Sequence, residues 1–137
     1  KYAMPLLKRS QNASIICISS VAGRLGYGYR TPYSATKWAI IGLVKSLAIE
    51  LGPSGIRANA LLPGIVEGPR MQKVIADRAA ALELSYQDME QDYLQKISLR
   101  RMVSAQDVAD QAIFLASPLG RNISGQAISI CGNVETL

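Results

Sequence analysis

Two short apolar runs and one long one set the layout of this chain. Residues 14–19 contain the unbroken run Ile15-Ile16-Cys17-Ile18, rich in β-branched side chains. A run of that length without alternation predicts a parallel strand buried on both faces. Residues 56–62 predict the next strand, ended by Pro63-Gly64. Between them, residues 32–51 predict a long helix, with Pro32 tolerated in its first turn and Gly52-Pro53 beyond its end. The order strand, long helix, strand implies a right-handed parallel crossover. The segment Trp38-Ala39-Ile40-Ile41-Gly42-Leu43-Val44 is apolar almost all round, whereas a surface helix needs a single apolar stripe. The helix must therefore bury a second face. The sheet covers one, and a neighbouring subunit is the natural partner for the other.

The rest of the chain follows the same rules. Residues 1–10 read as the end of a helix, with Pro5 near a helix start or at a kink. Residues 20–31 read as a loop. In residues 69–98, Met71, Val74 and Ile75, then Tyr86, Met89, Tyr93 and Ile97, recur at helical steps. Ser85-Tyr86-Gln87-Asp88 resembles a capping box that starts a second helix there. Ser104-Ala105-Gln106-Asp107 does the same for a helix over 105–116. Residues 123–131 supply a last strand. No repeat or low-complexity linker divides the chain.

Composition adds limits. At 137 residues, with 49% hydrophobic and 18% charged, the chain suits one domain with a modest core. The net charge of +5 reads as spread along the sequence. No basic cluster interleaved with aromatics points to nucleic acid, and no apolar stretch is long enough to span a bilayer. The start, Lys1-Tyr2-Ala3-Met4-Pro5, has no signal-peptide core. Cys17 and Cys131 both sit in apolar runs and read as small core residues in a reducing, cytoplasmic compartment. With no His and no Cys-x-x-Cys, no metal site is expected.

The candidate chemistry lies in Tyr33-Ser34-Ala35-Thr36-Lys37. The i,i+4 spacing puts a phenol and an ammonium on one helix face. A neighbouring cation favours the ionised phenol, which lets Tyr33 exchange a proton with a substrate oxygen. Ser20, after the first strand, can donate a hydrogen bond to the same oxygen. The alternative is a solvated helix face. Gly23-Arg24-Leu25-Gly26-Tyr27-Gly28 lacks the G-x-G-x-x-G spacing, so its glycines permit a tight loop path and do not cradle a phosphate.

The ordered set Ile18-Ser19-Ser20-Val21-Ala22-Gly23, Tyr33-Ser34-Ala35-Thr36-Lys37, Asn59-Ala60-Leu61-Leu62-Pro63-Gly64 and Ile123-Ser124-Gly125-Gln126 resembles the short-chain dehydrogenase/reductase family from end to end. The resemblance implies an α/β, Rossmann-like doubly wound parallel sheet, of which residues 1–137 are the C-terminal part of a single domain. It implies NAD or NADP as cofactor and the interconversion of a secondary alcohol and a ketone. In that reading Ser20, Tyr33 and Lys37 are catalytic. Tyr33, Lys37, Pro63, Gly64 and Ile65 bind cofactor, and Ser20, Tyr27 and Arg30 meet a small alcohol or carbonyl substrate. Family members commonly form dimers or tetramers through the long helix, so a homodimer or homotetramer is expected. They also place an Asn on an upstream helix, to which no residue here corresponds: Asn12 precedes the strand and Asn59 lies inside the next one. Many carry a Thr where Gly68 stands.

Residues 69–98 correspond to the family's variable substrate lobe, where Arg70, Tyr86, Met89 and Tyr93, with Tyr27, Tyr29 and Arg30 of the loop, are candidate lining. Packing against the sheet is the alternative for Met89 and Tyr93, and solvent for Arg70. Two other functions stay open. One is a reductase of 3-oxoacyl groups on an acidic acyl carrier, for which Arg100 and Arg101 are the candidate basic patch. The other is a truncated, non-catalytic chain, because no strand, glycine-rich turn and helix open the sequence.

Overall fold

The computed structural model describes residues 2–134. Its centre is β2 (Arg57–Pro63), which pairs in parallel with β1 (Ser14–Ile18) on one side and β3 (Ala127–Ile130) on the other. Ser14 stands opposite Arg57 and Ile18 opposite Leu61, while Ala60 meets Ala127 and Pro63 meets Ile130. This order explains the burial. Arg57 to Leu62 are all buried, but β1 is half-buried and Ile18 is 50% exposed. The expectation of a strand buried on both faces therefore fails for β1, because among the described residues it is an edge strand.

The short turn α1 (Met4–Leu7) precedes β1, with Pro5 in the first-turn position its ring tolerates. The long helix α2 (Thr31–Leu51) crosses from β1 to β2, again with Pro in the first turn. Strand residues alternate between faces, so Ala58, Ala60 and Leu62 of β2 share one face. They form a core with Val44, packed about by Ile40, Ile41 and Leu47 of α2 and by Ile15 and Cys17 of β1. On the far side of α2, Trp38, Leu43 and Ile49 are exposed. The second apolar face read from the sequence exists, and no described residue covers it.

Helix α5 (Ala105–Ala116) lies on the other face of the sheet. Its start is a complete capping box between Ser104 and Asp107. Its end is held by Arg57, which points away from the α2 core. The buried guanidinium donates from Nη1 to the carbonyls of Leu115 at 2.6 Å and Gly120 at 3.0 Å, and from Nη2 to Asn12 Oδ1 at 3.1 Å. Asn12 Nδ2 in turn donates to Ala116 O at 2.6 Å. No carboxylate is needed, because helix C-terminal carbonyls carry partial negative charge.

The last strand is shorter than the sequence suggests, since residues 123–126 form a loop. Asn59 explains why. Fully buried, it donates from Nδ2 to Ile123 O at 2.8 Å and accepts from Gln126 N at 3.1 Å, while Ser124 Oγ accepts from Ala58 N. These bonds satisfy backbone groups that a ladder would otherwise use. Gly125 takes the left-handed turn at φ 71°.

Residues 69–98 fold as two helices, α3 (Pro69–Ala81) and α4 (Tyr86–Gln95). They pack on each other through Ile75, Ala79 and Met89, with Met71, Tyr86, Tyr93 and Met102 around them. Met89 and Tyr93 thus pack inside this lobe and not against the sheet. Ser85 caps α4 by accepting from Asp88 N at 3.0 Å, but the reciprocal half of the expected box is missing. The Asp88 carboxylate accepts from the Ser85 hydroxyl instead, at 2.6 Å. Isolated bridges, Val66 with Val103 and Ile97 with Val134, tie the lobe to the body.

Candidate active site

Three of the four sequence motifs meet at the carboxyl ends of the strands, whereas the motif at residues 123–126 precedes β3 and bonds to Ala58 and Asn59 near the start of β2. β1 runs into Ser19 and Ser20, β2 into Gly64 and Ile65, and β3 into Cys131. In open α/β sheets this is where ligands bind. Ser20 leaves the strand with extended backbone and starts a short 3₁₀ turn, Val21–Gly23. Its Oγ accepts from Ala22 N at 3.2 Å, which leaves the hydroxyl proton available to another acceptor.

Tyr33 and Lys37 lie one turn apart near the start of α2. The Lys37 Nζ sits 5.6 Å from the Tyr33 ring centroid, and it donates to Ile18 O at 3.3 Å. Tyr33 is 41% exposed, and its phenol has no hydrogen-bond partner among the described residues. Tyr27 meets the Tyr33 ring edge-on at 6.4 Å, and the Arg30 guanidinium lies over the Tyr27 ring at 5.6 Å. Aromatic rings favour both edge contacts and cations on their faces. The result is a ladder of cation, ring, ring and cation: Arg30, Tyr27, Tyr33, Lys37. Tyr29 points wholly into solvent with φ 61° and touches none of it.

The sequence reading missed what holds this arrangement. Buried Ser19, next to Ser20, donates its hydroxyl to Lys37 O at 2.8 Å, and Ser34 Oγ donates to Ala22 O at 2.8 Å. Gly23 has to be glycine. A Cβ there would lie 2.7 Å from Ser19 Oγ and 2.8 Å from Lys37 O. Arg24 reaches across to β3, donating from Nη1 to Ser129 Oγ at 3.0 Å and from Nη2 to Ala127 O at 2.5 Å. A buried Ser and a Gly flanking a strand end were the visible signals, but their partners lie on another element.

On the β2 side, Gly64 N donates to Ile130 O at 2.8 Å, and a Cβ on Gly64 would come within 2.7 Å of Cys131 Cβ. Ile65 O accepts from Val103 N, whereas the Ile65 N–H has no hydrogen-bond partner among the described residues. A free backbone donor, an ammonium and an exposed phenol at one strand end are a donor set that suits the amide and hydroxyl oxygens of a nicotinamide nucleoside. Pro63 closes β2 and aims this turn.

The lobe contributes a cavity of about 330 Å³ beside the same turn, lined by Glu67, Gly68, Met71, Tyr86, Arg100 and Arg101 among others. Arg70 is exposed outside it, as the solvent alternative had it. Arg100 donates to Gln95 O and, at 3.2 Å, to Ile97 O, so it caps the end of α4. Among the described residues, no group of His, Cys, Asp and Glu could hold a metal ion, and no helix is long and apolar enough to cross a membrane. The thiols of Cys17 and Cys131 are free and half-buried.

The charge is less even than the sequence first suggested. Seven of the 15 Lys and Arg, and none of the 10 Asp and Glu, precede Glu50. Arg24, Arg30 and Lys37 all belong to that acid-free segment.

Comparison with known proteins gives the family and the fold. The family model described as enoyl-(acyl carrier protein) reductase matches residues 1–133. An uncharacterized oxidoreductase, YxjF of Bacillus subtilis, is 34% identical over 133 residues, covering 96% of this chain and 52% of its own. A crystal structure of a short-chain dehydrogenase family protein from Francisella tularensis superposes with a TM-score of 0.83 at 28% identity, over 88% of this chain and 50% of that one. An actinorhodin polyketide ketoreductase with NADPH gives a TM-score of 0.86 at 28% identity, over 98% and 51%. The chain spans about half the length of the curated relatives it matches. With the fold, the ordered motifs and a match along nearly its whole length in agreement, the chain belongs to the short-chain dehydrogenase/reductase family.

Proposed function

We propose that residues 1–137 are the C-terminal, catalytic part of one Rossmann-like domain in an NAD- or NADP-dependent oxidoreductase that interconverts a secondary alcohol and a ketone. One observation carries the reading: the Tyr33 phenol, the Lys37 ammonium and the Ser20 hydroxyl lie at one strand end, with Lys37 tied to Ile18 and Ser19. The bound dinucleotide supplies hydride acceptance and donation. Everything else falls to the protein. Tyr33 is the general acid/base, protonating the carbonyl oxygen in reduction and taking the hydroxyl proton in oxidation. The Lys37 ammonium, 5.6 Å from the Tyr33 ring centroid, donates to the nicotinamide ribose. Ser20 donates to the substrate oxygen and fixes it near the phenol. Pro63, Gly64 and Ile65 bind the carboxamide side through the Ile65 N–H. Gly68 gives this turn no hydroxyl, so the backbone carries that contact. Tyr27 and Arg30 line the substrate side of the site.

The exposed face of α2, with Trp38 and Leu43, supports a homodimer or homotetramer. The compartment in this reading is the cytoplasm. The test is Tyr33→Phe in the full-length protein. It should cut cofactor-dependent turnover by roughly 10²-fold or more while leaving dinucleotide binding in place. Turnover at the wild-type rate would refute the assignment of Tyr33.

The acyl-carrier match gives a second reading, reduction of a 3-oxoacyl group. Arg101 at the lobe cavity remains its candidate basic contact, whereas Arg100 is engaged by carbonyls. Saturable stimulation by an acyl carrier protein would favour it.

A further inference from the structure

Resting on the carbonyl–alcohol reading above, the charge distribution around the site says which substrates suit it. Arg30 lies one tyrosine ring away from Tyr33, in the ladder Arg30, Tyr27, Tyr33, Lys37. Arg30 is exposed, its guanidinium lies over the Tyr27 ring, and it is in neither ion pair found among the described residues. Arg24 and Lys37 flank the same loop, and their bonds go to carbonyl and hydroxyl oxygens, which leave each charge uncancelled. The segment that builds this wall holds no carboxylate before Glu50. Glu67, the acid at the end of β2, lines the lobe cavity together with Arg100 and Arg101.

Arg30 and Lys37, at the two ends of the ladder that holds Tyr33, create a local positive potential. The fold uses Lys37 but not Arg30, which makes no side-chain hydrogen bond among the described residues. The guanidinium lies over the Tyr27 ring at 5.6 Å while its N–H groups stay available, and a guanidinium fork suits bidentate recognition of a planar or tetrahedral oxyanion. We infer that the substrate carries a carboxylate or phosphate group, bound by Arg30, beside the carbonyl or hydroxyl that meets Tyr33.

The experiment compares matched ketones in the full-length protein with its dinucleotide. Acetoacetate is set against methyl acetoacetate, and dihydroxyacetone phosphate against dihydroxyacetone, which also separates a carboxylate preference from a phosphate one. The charged member of at least one pair should have the higher kcat/KM, by about tenfold. The advantage should shrink as potassium chloride screens it. Arg30→Gln should abolish the preference, Arg30→Lys should retain part of it, and Lys8→Gln should leave the ratio unchanged. Lys8 lies before β1, at the opposite end of the strand from Ser20. It therefore controls for net charge alone.

Calorimetric titration of the two anions gives a readout independent of turnover. If ketones are reduced with no charge preference in either pair, or if the preference survives Arg30→Gln, the inference fails while the carbonyl–alcohol reading stands. If no ketone is reduced but an anion binds saturably and Arg30→Gln weakens it about tenfold, the anion site stands and the reaction assigned above fails. Absence of both turnover and binding overturns both.

Discussion

Ser19 donates its hydroxyl to the backbone carbonyl of Lys37 at 2.8 Å, across 18 residues of sequence. The same lysine's ammonium donates to Ile18 O at 3.3 Å. Lys37 is thus held at its backbone and at its side-chain tip by consecutive residues of the strand end that also carries Ser20. Catalysis by positioned groups is sensitive to displacements of an ångström, so this tether matters more than its own energy.

The tether predicts the effect of a single methyl. Gly23→Ala would put a carbon 2.7 Å from Ser19 Oγ and 2.8 Å from Lys37 O, contacts that real Cβ atoms do not make. Neither neighbour is the far end of a flexible chain. The variant should lose about 1–3 kcal/mol of stability and at least roughly tenfold in kcat/KM. Ser19→Ala should cost less, about 1 kcal/mol, because the Lys37 carbonyl keeps its helical bond. Urea unfolding and steady-state kinetics on both variants check the order, and Gly23→Ala as the milder change would contradict it.

Ser20→Ala separates orientation from proton transfer. The hydroxyl accepts from Ala22 N and keeps its own proton to donate. Its loss should reduce kcat/KM by roughly 10–10³-fold with a smaller change in dinucleotide affinity. Equal losses in turnover and dinucleotide binding would instead make Ser20 a structural cap of the Val21–Gly23 turn.

Arg57 tests the other end of the sheet. Arg57→Met should leave the carbonyls of Leu115 and Gly120 and the Asn12 amide oxygen short of a donor, destabilising the protein by about 3 kcal/mol. Arg57→Lys cannot reproduce the fork and should recover only part of that. Thermal melting of the three proteins gives the comparison, with wild-type stability in Arg57→Met as the contrary result.

Asp107 predicts an acid response. Hydrogen bonds from the Ser104 backbone and hydroxyl, with a smaller contribution from Arg101, hold its carboxyl below the ordinary value of 3.8 against a weak opposing effect of burial. A depressed folded value means that the cap stabilises α5 above the unfolded value. That stabilisation is lost as pH falls through the folded one. The protection of the Ser104 and Asp107 amides, relative to their intrinsic exchange at each pH, should therefore fall under acid, and Asp107→Asn should flatten the response. Identical acid profiles for the two proteins would count against this.

The elements of this fold differ in how far sequence alone reaches them. Helix α2 and helix α5 were readable to within a residue, because Pro32, Gly52-Pro53 and the Ser104–Asp107 box mark their ends locally. The Tyr33 to Lys37 spacing was equally local. The burial of β1 was not readable, since it depends on which strands flank it and not on its own isoleucines. Asn59 reads in sequence only as a mid-strand residue, yet it shortens β3 through contacts 64 and 67 positions away. Gly23 reads as loop freedom, whereas it is not among the positive-φ glycines and the requirement is close approach. The uneven charge needed no structure at all, only a count taken by segment.

Trp38 follows Lys37 directly, is 51% exposed on the uncovered side of α2, and is the single tryptophan of this chain. An indole in that position is a built-in optical label for whatever lies against the helix that carries Tyr33. Seating a body on this face would dehydrate the ring and move its emission to shorter wavelength. Dilution of the protein, followed by fluorescence alone, then reports whether helix α2 is covered at the concentrations where activity is measured.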